Sequence, residues 1–574
     1  MQGNKEMKNV NVAKTIRKIN WALLLFSAMF SVMLIVSRHV IYTPDGTNLE
    51  NTFVTDFSIL DGAGFCVLLP LIYVAVKGLL FLLRQISGVF FQEKRKAKKY
   101  VFVLFFLLIM LLWLPYLPSY WPGGIYSDTV DSIRMALGQD ALDNHNPILY
   151  TLLWRLMFFL TGAFRGETEY YGLELFTVVQ LAGMALVMAG FVYWCYRKGF
   201  HKLFIAFMLL IIGIFPLYPF YGISLWKDTI FSLVVFLFSV FLYQTFSMKK
   251  TELSWMELAA YCLFSLLLVF LRNNGIYVMI FCAVLIVLIC LKKQKMTAMK
   301  IGIASLVIAI GSLVIQGPVY DAKGYNVDRT VESMGIPIQQ VAYVLSTDGA
   351  VEEDELAFME QIMPLENWKA LYEPTVVDYI KFDPTFDRRF FQENSREFTG
   401  HYLHMMLQNP VKALKAYALA TIGFWDISRG SASAYICNFH FSNSGYVMSD
   451  YFDYYTGLSF RELVEPREYI SAALWAWLLL LCISICIQKR YFTGLIALLP
   501  TLGVWLSIMV ATPLSFSFRY VYSLFLCAPI YLIVALRACR ETAQKEPTEA
   551  EAEAAENARP EEPIIVEEVE QKHS

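Results

Sequence analysis

The chain has 574 residues, 57% of them hydrophobic and 17% charged, with a formal net charge of -2. Its mean hydropathy is +0.49, and its apolar share exceeds the roughly 45–50% of a soluble domain. A soluble globular class is excluded, nothing in the charge pattern suits a nucleic-acid partner, and the predicted fold is an all-α polytopic membrane protein.

Lys5, Lys8, Lys14, Arg17 and Lys18 precede the first apolar run, so the positive-inside rule puts the N-terminus in the cytosol. That run is too long for a removable signal and lacks a small-residue cleavage site. Runs long enough to cross ~30 Å of hydrocarbon predict spans near 19–41, 58–83, 100–117, 172–196, 203–220, 229–247, 254–271, 275–291, 301–316, 469–487, 491–511 and 519–537. The basic clusters at 84–99, 197–202, Lys249/Lys250, 292–300, Lys489/Arg490 and Arg537/Arg540 all fall on the cytosolic side if Pro147 to Ala163 does not cross. That segment is predicted as a helix lying in or dipping into the outer leaflet, with Arg155 snorkelling. About twelve transmembrane helices result, in the plasma membrane with both termini cytosolic.

The predicted organisation follows. Residues 1–99 hold a cytosolic segment and two spans. Residues 100–316 form a core carrying the outer loop 118–171. Residues 317–468 make a small helical outer domain, 469–540 the C-terminal spans, and 541–574 an acidic, disordered cytosolic tail. In the loop domain, ESMGIPIQQVAYVLS and NPVKALKAYALATIGFW read as helices. The second is amphipathic and is predicted to lie on the membrane. Cys437 is the one cysteine in that loop, so no disulfide framework is legible.

The stretch Trp121 to Arg155 is polar between apolar neighbours, with four aspartates and one histidine. Gly123-Gly124 breaks the chain. Ser127 to Leu137 then predicts a short helix, with Val130, Ile133 and Leu137 on one face and Asp128 and Asp131 sharing another. Asn146 is placed to N-cap a helix starting at Pro147. The plainer readings are an N-cap for Ser127 or Asp128, a first-turn acid on the helix dipole for Asp131, and a satisfied loop histidine for His145. Lys227-Asp228 in SLWKD, Arg272-Asn273 in RNNG and Arg519-Tyr520 in SFRY stand at predicted outer span ends. Ionisable groups near the membrane interior are functional candidates. Interfacial snorkelling and a local Lys227–Asp228 ion pair are the simpler alternatives.

An outer-loop aspartate followed by His-x-Pro-x-x-Tyr at a helix start resembles the GT-C superfamily of membrane glycosyltransferases. That superfamily includes protein O-mannosyltransferase-like and aminoarabinose-transferase-like enzymes. Here the elements are Asp128 and His145-Asn146-Pro147-Ile148-Leu149-Tyr150. Two departures stand out. The superfamily places its aspartate in the first outer loop, whereas here it is the second, which implies two extra N-terminal spans. It also commonly has Pro where Asn146 stands. The resemblance implies an inverting transfer of sugar from a polyprenyl-phosphate-linked lipid to a bacterial cell-envelope glycan, lipid or protein. Asp128 would be the general base, with Asp131 as helper or substitute. Lys227, Arg272 and Arg519 would bind the lipid phosphate, with Asp228, Asn273, Tyr520, Asn146 and Tyr150 at the same site. His145 would contact phosphate or hold the loop. Asp128, Asp131 and His145 are also an oxygen-rich set suited to Mg²⁺ or Mn²⁺, although some GT-C enzymes need no metal. The alternatives are a transporter or flippase, a polysaccharide polymerase or ligase, and a non-enzymatic assembly protein. Against a transporter stands the lack of a clear internal repeat. Against a polymerase stands the position of the acids in an early loop.

Overall fold

The computed structural model describes residues 20–42, 51–90, 98–165, 168–247, 252–292, 294–326, 330–428, 446–464, 470–511 and 514–543. The N-terminal basic cluster, Lys249/Lys250, Cys437 and the acidic tail beyond residue 543 lie outside them. The chain is a multi-pass helical membrane protein. Eight described helices are long and apolar enough to cross a membrane, and two bent pairs raise the number to ten.

The N-terminal helices α1 (Trp21–His39) and α2 (Ile59–Phe90) pack on each other. Ser27 and Ser31 on α1 return their hydroxyls to the carbonyls of Leu23 and Ser27, at 2.8 and 2.7 Å. Polar side chains are thereby satisfied within an apolar helix. Leu60, Val67, Leu71, Val74 and Phe81 of α2 are exposed, as expected of a face that meets lipid. Between the two helices lies a feature that the all-helical reading did not foresee. Val40–Ile41 pairs antiparallel with Phe53–Val54, and Val40 and Val54 enter the core of the loop domain.

Next come α3 (Lys99–Trp113), α4 (Ser127–Leu137), α5 (Ile148–Thr161), α6 (Tyr170–Arg197), α7 (Lys202–Ile214), α8 (Leu217–Ile223) and α9 (Lys227–Ser247). The predicted span 203–220 is bent by 48° between α7 and α8. Phe215, ahead of Pro216, takes extended backbone, because a residue before proline is disfavoured in the helical region. The predicted spans 254–271 and 275–291 are α10 (Trp255–Leu271) and α11 (Gly275–Cys290), of 17 and 16 residues. Helix α12 (Lys295–Val314) does not stop near 316 as expected. A π-turn over Ile315–Val319 accommodates Pro318, and the apolar helix continues to Lys323.

The loop domain has its own core. Ile338, Val341 and Val344 of α13 (Gly335–Ser346) meet Trp368, Phe391 and Phe398 there, together with Leu419. Helices α14 (Ser395–Gln408) and α15 (Pro410–Ala420) close it. The C-terminal part comprises α16 (Ala472–Lys489), α17 (Phe492–Val510), α18 (Tyr522–Leu526) and α19 (Ala528–Ala543). Helix α17 packs between α9 and α11.

The turn between α10 and α11 is tight. A Cβ at Gly275 would run into the Leu268 carbonyl. Gly275→Ala is therefore expected to destabilise the protein by about 1–3 kcal/mol. A thermal-unfolding midpoint in detergent equal to wild type would show that the turn can relax.

Candidate functional site

Four polar junctions meet at one end of the bundle. The first link is backbone. Gly124 N–H donates to Ile223 O at 2.9 Å, and Leu225 N–H donates to Gly124 O at 2.8 Å. Gly123 is at φ +121, and a Cβ there would strike Thr177, so glycine is needed for the chain to turn against α6. Gln180 on α6 donates its amide to the carbonyls of Tyr221, Gly222 and Ser224. This pins the segment entering α9.

The Leu225 carbonyl is a hub. Thr129 Oγ1 of α4 donates to it at 2.5 Å, and Tyr150 Oη of α5 donates at 2.6 Å. Tyr126 stacks on Trp226, with ring centroids 3.7 Å apart. These contacts set the first turn of α4 against the first turn of α9. Asp128 therefore faces Lys227.

Asp128 Oδ2 accepts from Lys227 Nζ at 3.1 Å and from Arg519 Nη1 at 3.2 Å. Its side chain is 28% exposed. The Lys227 charge holds its carboxyl well below the usual aspartate range, burial opposes this, and Arg519 adds to it. Arg519 belongs to the 3-10 turn Phe518–Val521. Its guanidinium lies 5.3 Å from the Trp226 ring and 5.2 Å from the Tyr520 ring.

A second pair lies beside the first. Arg272 Nη1 is 2.9 Å from Asp228 Oδ1 and donates to Tyr520 O at 3.3 Å. The Arg272 guanidinium is 5.4 Å from each of the Phe231 and Tyr520 rings. Asp228 is 1% exposed and Arg272 11%. The anticipated local Lys227–Asp228 pair does not form. Adjacent residues on a helix point different ways, so Lys227 turns to α4 and Asp228 to α10.

Asn146 differs from its expected capping role. Pro147 is the N-cap of α5, without a side-chain bond. The Asn146 side chain instead accepts from Lys227 Nζ and donates to Asp128 O. The loop's own need to hold Lys227 outweighs the cap. Tyr150, expected at the substrate, is buried, with its hydroxyl spent on Leu225; it supports the site from beneath. Asn273 donates to His145 O at 3.2 Å.

Asp131 and His145 are exposed and make no hydrogen bond or ion pair with the Asp128 carboxylate. They line a neighbouring cavity of about 310 Å³ with Asp140, Asp143 and Asn146. Desolvation, and after it repulsion from Asp128, pushes the Asp131 carboxyl up. The Mg²⁺ or Mn²⁺ expectation does not fit this donor set. Asp128 Oδ2 is taken by two cations, and the described residues contain no grouping of three His, Cys, Asp or Glu side chains able to hold a metal.

Sequence reasoning missed Tyr126, Trp226, Thr129 and Gln180. The aromatic residues that precede the charges in IYSD and SLWKD were the available signal.

A family model described as "Family of unknown function (DUF6020)" matches residues 137–549. The chain belongs to DUF6020. The DUF6020 match takes in His145, Asn146, Lys227, Asp228, Arg272 and Arg519, and starts past Asp128 and Asp131. No curated protein and no solved structure matches the chain.

Because the Asp128 pKa is lowered in the fold, its pairing stabilises in full above the unfolded value near ~3.9. The contribution is lost as pH falls through the lowered folded value. A double-mutant cycle of Asp128→Asn and Lys227→Met, read by thermal unfolding at pH 7, is expected to give a coupling of about 1–2 kcal/mol. That coupling should shrink on acidification below pH ~4. No coupling at pH 7 would mean that the two groups do not attract in solution.

Proposed function

We propose that this DUF6020 member is an integral membrane glycosyltransferase that moves a sugar from a polyprenyl-phosphate donor to an envelope acceptor on the outer face. One observation carries the reading: a single Asp128 oxygen is shared by Lys227 and Arg519, three residues drawn from distant parts of the chain. The arrangement combines an ionised carboxylate with cations that can accept a phosphate. Trp226 and Tyr520 flank those cations.

Twelve crossings are compatible with the helices observed. They are the eight long ones, the two bent pairs, and α10 and α11 as short spans. With α5 at the interface, that count accommodates the GT-C-like scheme with cytosolic termini.

The chemistry is a single displacement at the anomeric carbon. The acceptor oxygen bonds to that carbon, its proton passes to Asp128, and the bond from carbon to phosphate oxygen breaks. The transition state is oxocarbenium-like, as in glycoside chemistry. Lys227 and Arg519 stabilise the departing lipid phosphate, and Arg272, paired with Asp228, supports the Tyr520 ring beside them. The same cations hold down the basicity of Asp128 until the donor arrives. A phosphate that draws Lys227 and Arg519 towards itself raises the Asp128 pKa and frees Oδ2 for the acceptor hydroxyl. Donor binding thus arms the base.

In proteoliposomes supplied with a polyprenyl-phosphate sugar, Asp128→Asn is expected to lower kcat by about 10²–10⁴-fold with donor binding retained. Lys227→Ala and Arg519→Ala should raise the donor KM and also lower kcat, because both cations stabilise the leaving phosphate. Full activity of folded Asp128→Asn would sink the base assignment. Movement of the lipid across sealed vesicles without a covalent product would favour the transporter reading.

A further inference from the structure

Helix α15 and the end of α14 carry an apolar row that the protein leaves uncovered. Leu403 is 54% exposed, Leu407 79%, Val411 62% and Leu414 70%. The opposite side of α15 is bound tightly. Ala416, Leu419 and Ala420 are buried. Gln340 donates to Ala413 O at 2.9 Å, and Ser515 Oγ donates to the carbonyls of Leu419 and Ala420 at 3.1 and 2.6 Å. The exposed row is therefore not a loose segment awaiting a place in the core.

The height of α15 along the bundle is set by two span ends. Tyr417 Oη donates to Met509 O at 3.0 Å, in the last turn of α17 (Phe492–Val510). Lys415 Nζ is 2.7 Å from Asp56 Oδ1, just ahead of Ile59, where α2 begins. A helix tied to the ends of two spans sits where hydrocarbon gives way to headgroups. There, an unpartnered row of leucine and valine meets lipid, and a one-sided apolar helix lies in the interface plane. Lys412 and Lys415 are held inward by Thr347 O and Asp56, so the outward row is left apolar.

We infer that residues 403–414 form a bilayer-contacting surface, with Leu407, Val411 and Leu414 inserted among the lipid headgroups. The row seats the loop domain on the membrane. That domain joins the site through Ser515 N–H, which donates to Thr375 O at 3.0 Å, four residues before Arg519. The inference does not depend on the glycosyltransferase reading.

The test uses the full-length protein in phosphatidylcholine nanodiscs, with the photo-crosslinker p-benzoylphenylalanine replacing Leu407, Val411 or Leu414 one at a time. The control replaces Glu393, an exposed loop-domain residue that pairs with Arg389. Lipid adducts at the three row positions and none at Glu393 are expected by mass spectrometry. Absence of lipid adducts at all three overturns the inference. Protein–protein adducts in their place would assign the row to a second copy of the chain and overturn it equally. Each replaced residue is already exposed, so the variants are expected to elute and unfold as the parent does, which separates a negative result from misfolding.

Discussion

One carboxylate oxygen organises this end of the molecule. Asp128 Oδ2 draws Lys227 from the start of α9 and Arg519 from the turn before α18, while Asn146 holds both Lys227 and the Asp128 carbonyl. Groups of this kind are costly to remove from water unless paired. Without Asp128, two cations 17–18% exposed would crowd each other among aromatic rings. Without the cations, the first turn of α4 would carry an unpaired carboxylate against Trp226 and Tyr126. Each partner makes the position of the others tolerable, so the four junctions close together.

The N-terminal helices are not an appendage to this assembly. Ser37 on α1 donates to the fully buried Asp426 at 2.9 and 2.8 Å. The short hairpin after α1 places Val40 and Val54 in the loop-domain core, and α1 itself packs on α16. The DUF6020 match begins at residue 137, yet the region ahead of it completes a core built from the matched part. The loop domain in turn reaches the site through Thr375 and Ser515. Position at the site is therefore inherited from both ends of the chain.

How much of this was legible depended on range. Helix α4 was readable to its last residue, because Ile133 with Val130 and Leu137 gives a helical period and Gly138 stops it in the left-handed region. The cations at 227, 272 and 519 were readable because they stand at outer span ends while the basic clusters fall on the cytosolic side. Their partners were not. Pairing Gly124 with Ile223 and Leu225 depends on a backbone ladder across about a hundred residues. Asn146 obeyed the local signature of a cap, but a charge 81 positions away competed for its side chain and won. The span expected over 301–316 runs on through Pro318, which sits in a π-turn, a choice that local propensity does not report.

The second ion pair explains why the site keeps more charge than the first pair needs. Asp228 and Arg272 are nearly sealed from water, with Arg272 flanked by Phe231 and Tyr520. Tyr520 lies near both arginines, since Arg519 is 5.2 Å from the same ring. Lys227 and Arg519 share the single carboxylate of Asp128, so that cluster of three has one more cation than carboxylate. A partly buried cluster with such an excess favours an anion over a neutral ligand. It does so most for an anion that arrives with its own lipid tail and does not have to leave water to bind. Asp228 meanwhile holds Arg272 at 2.9 Å. The more exposed carboxylate thus stays shared by two cations, which under the proposed function an incoming phosphate would recruit, while the buried pair holds the aromatic frame around them.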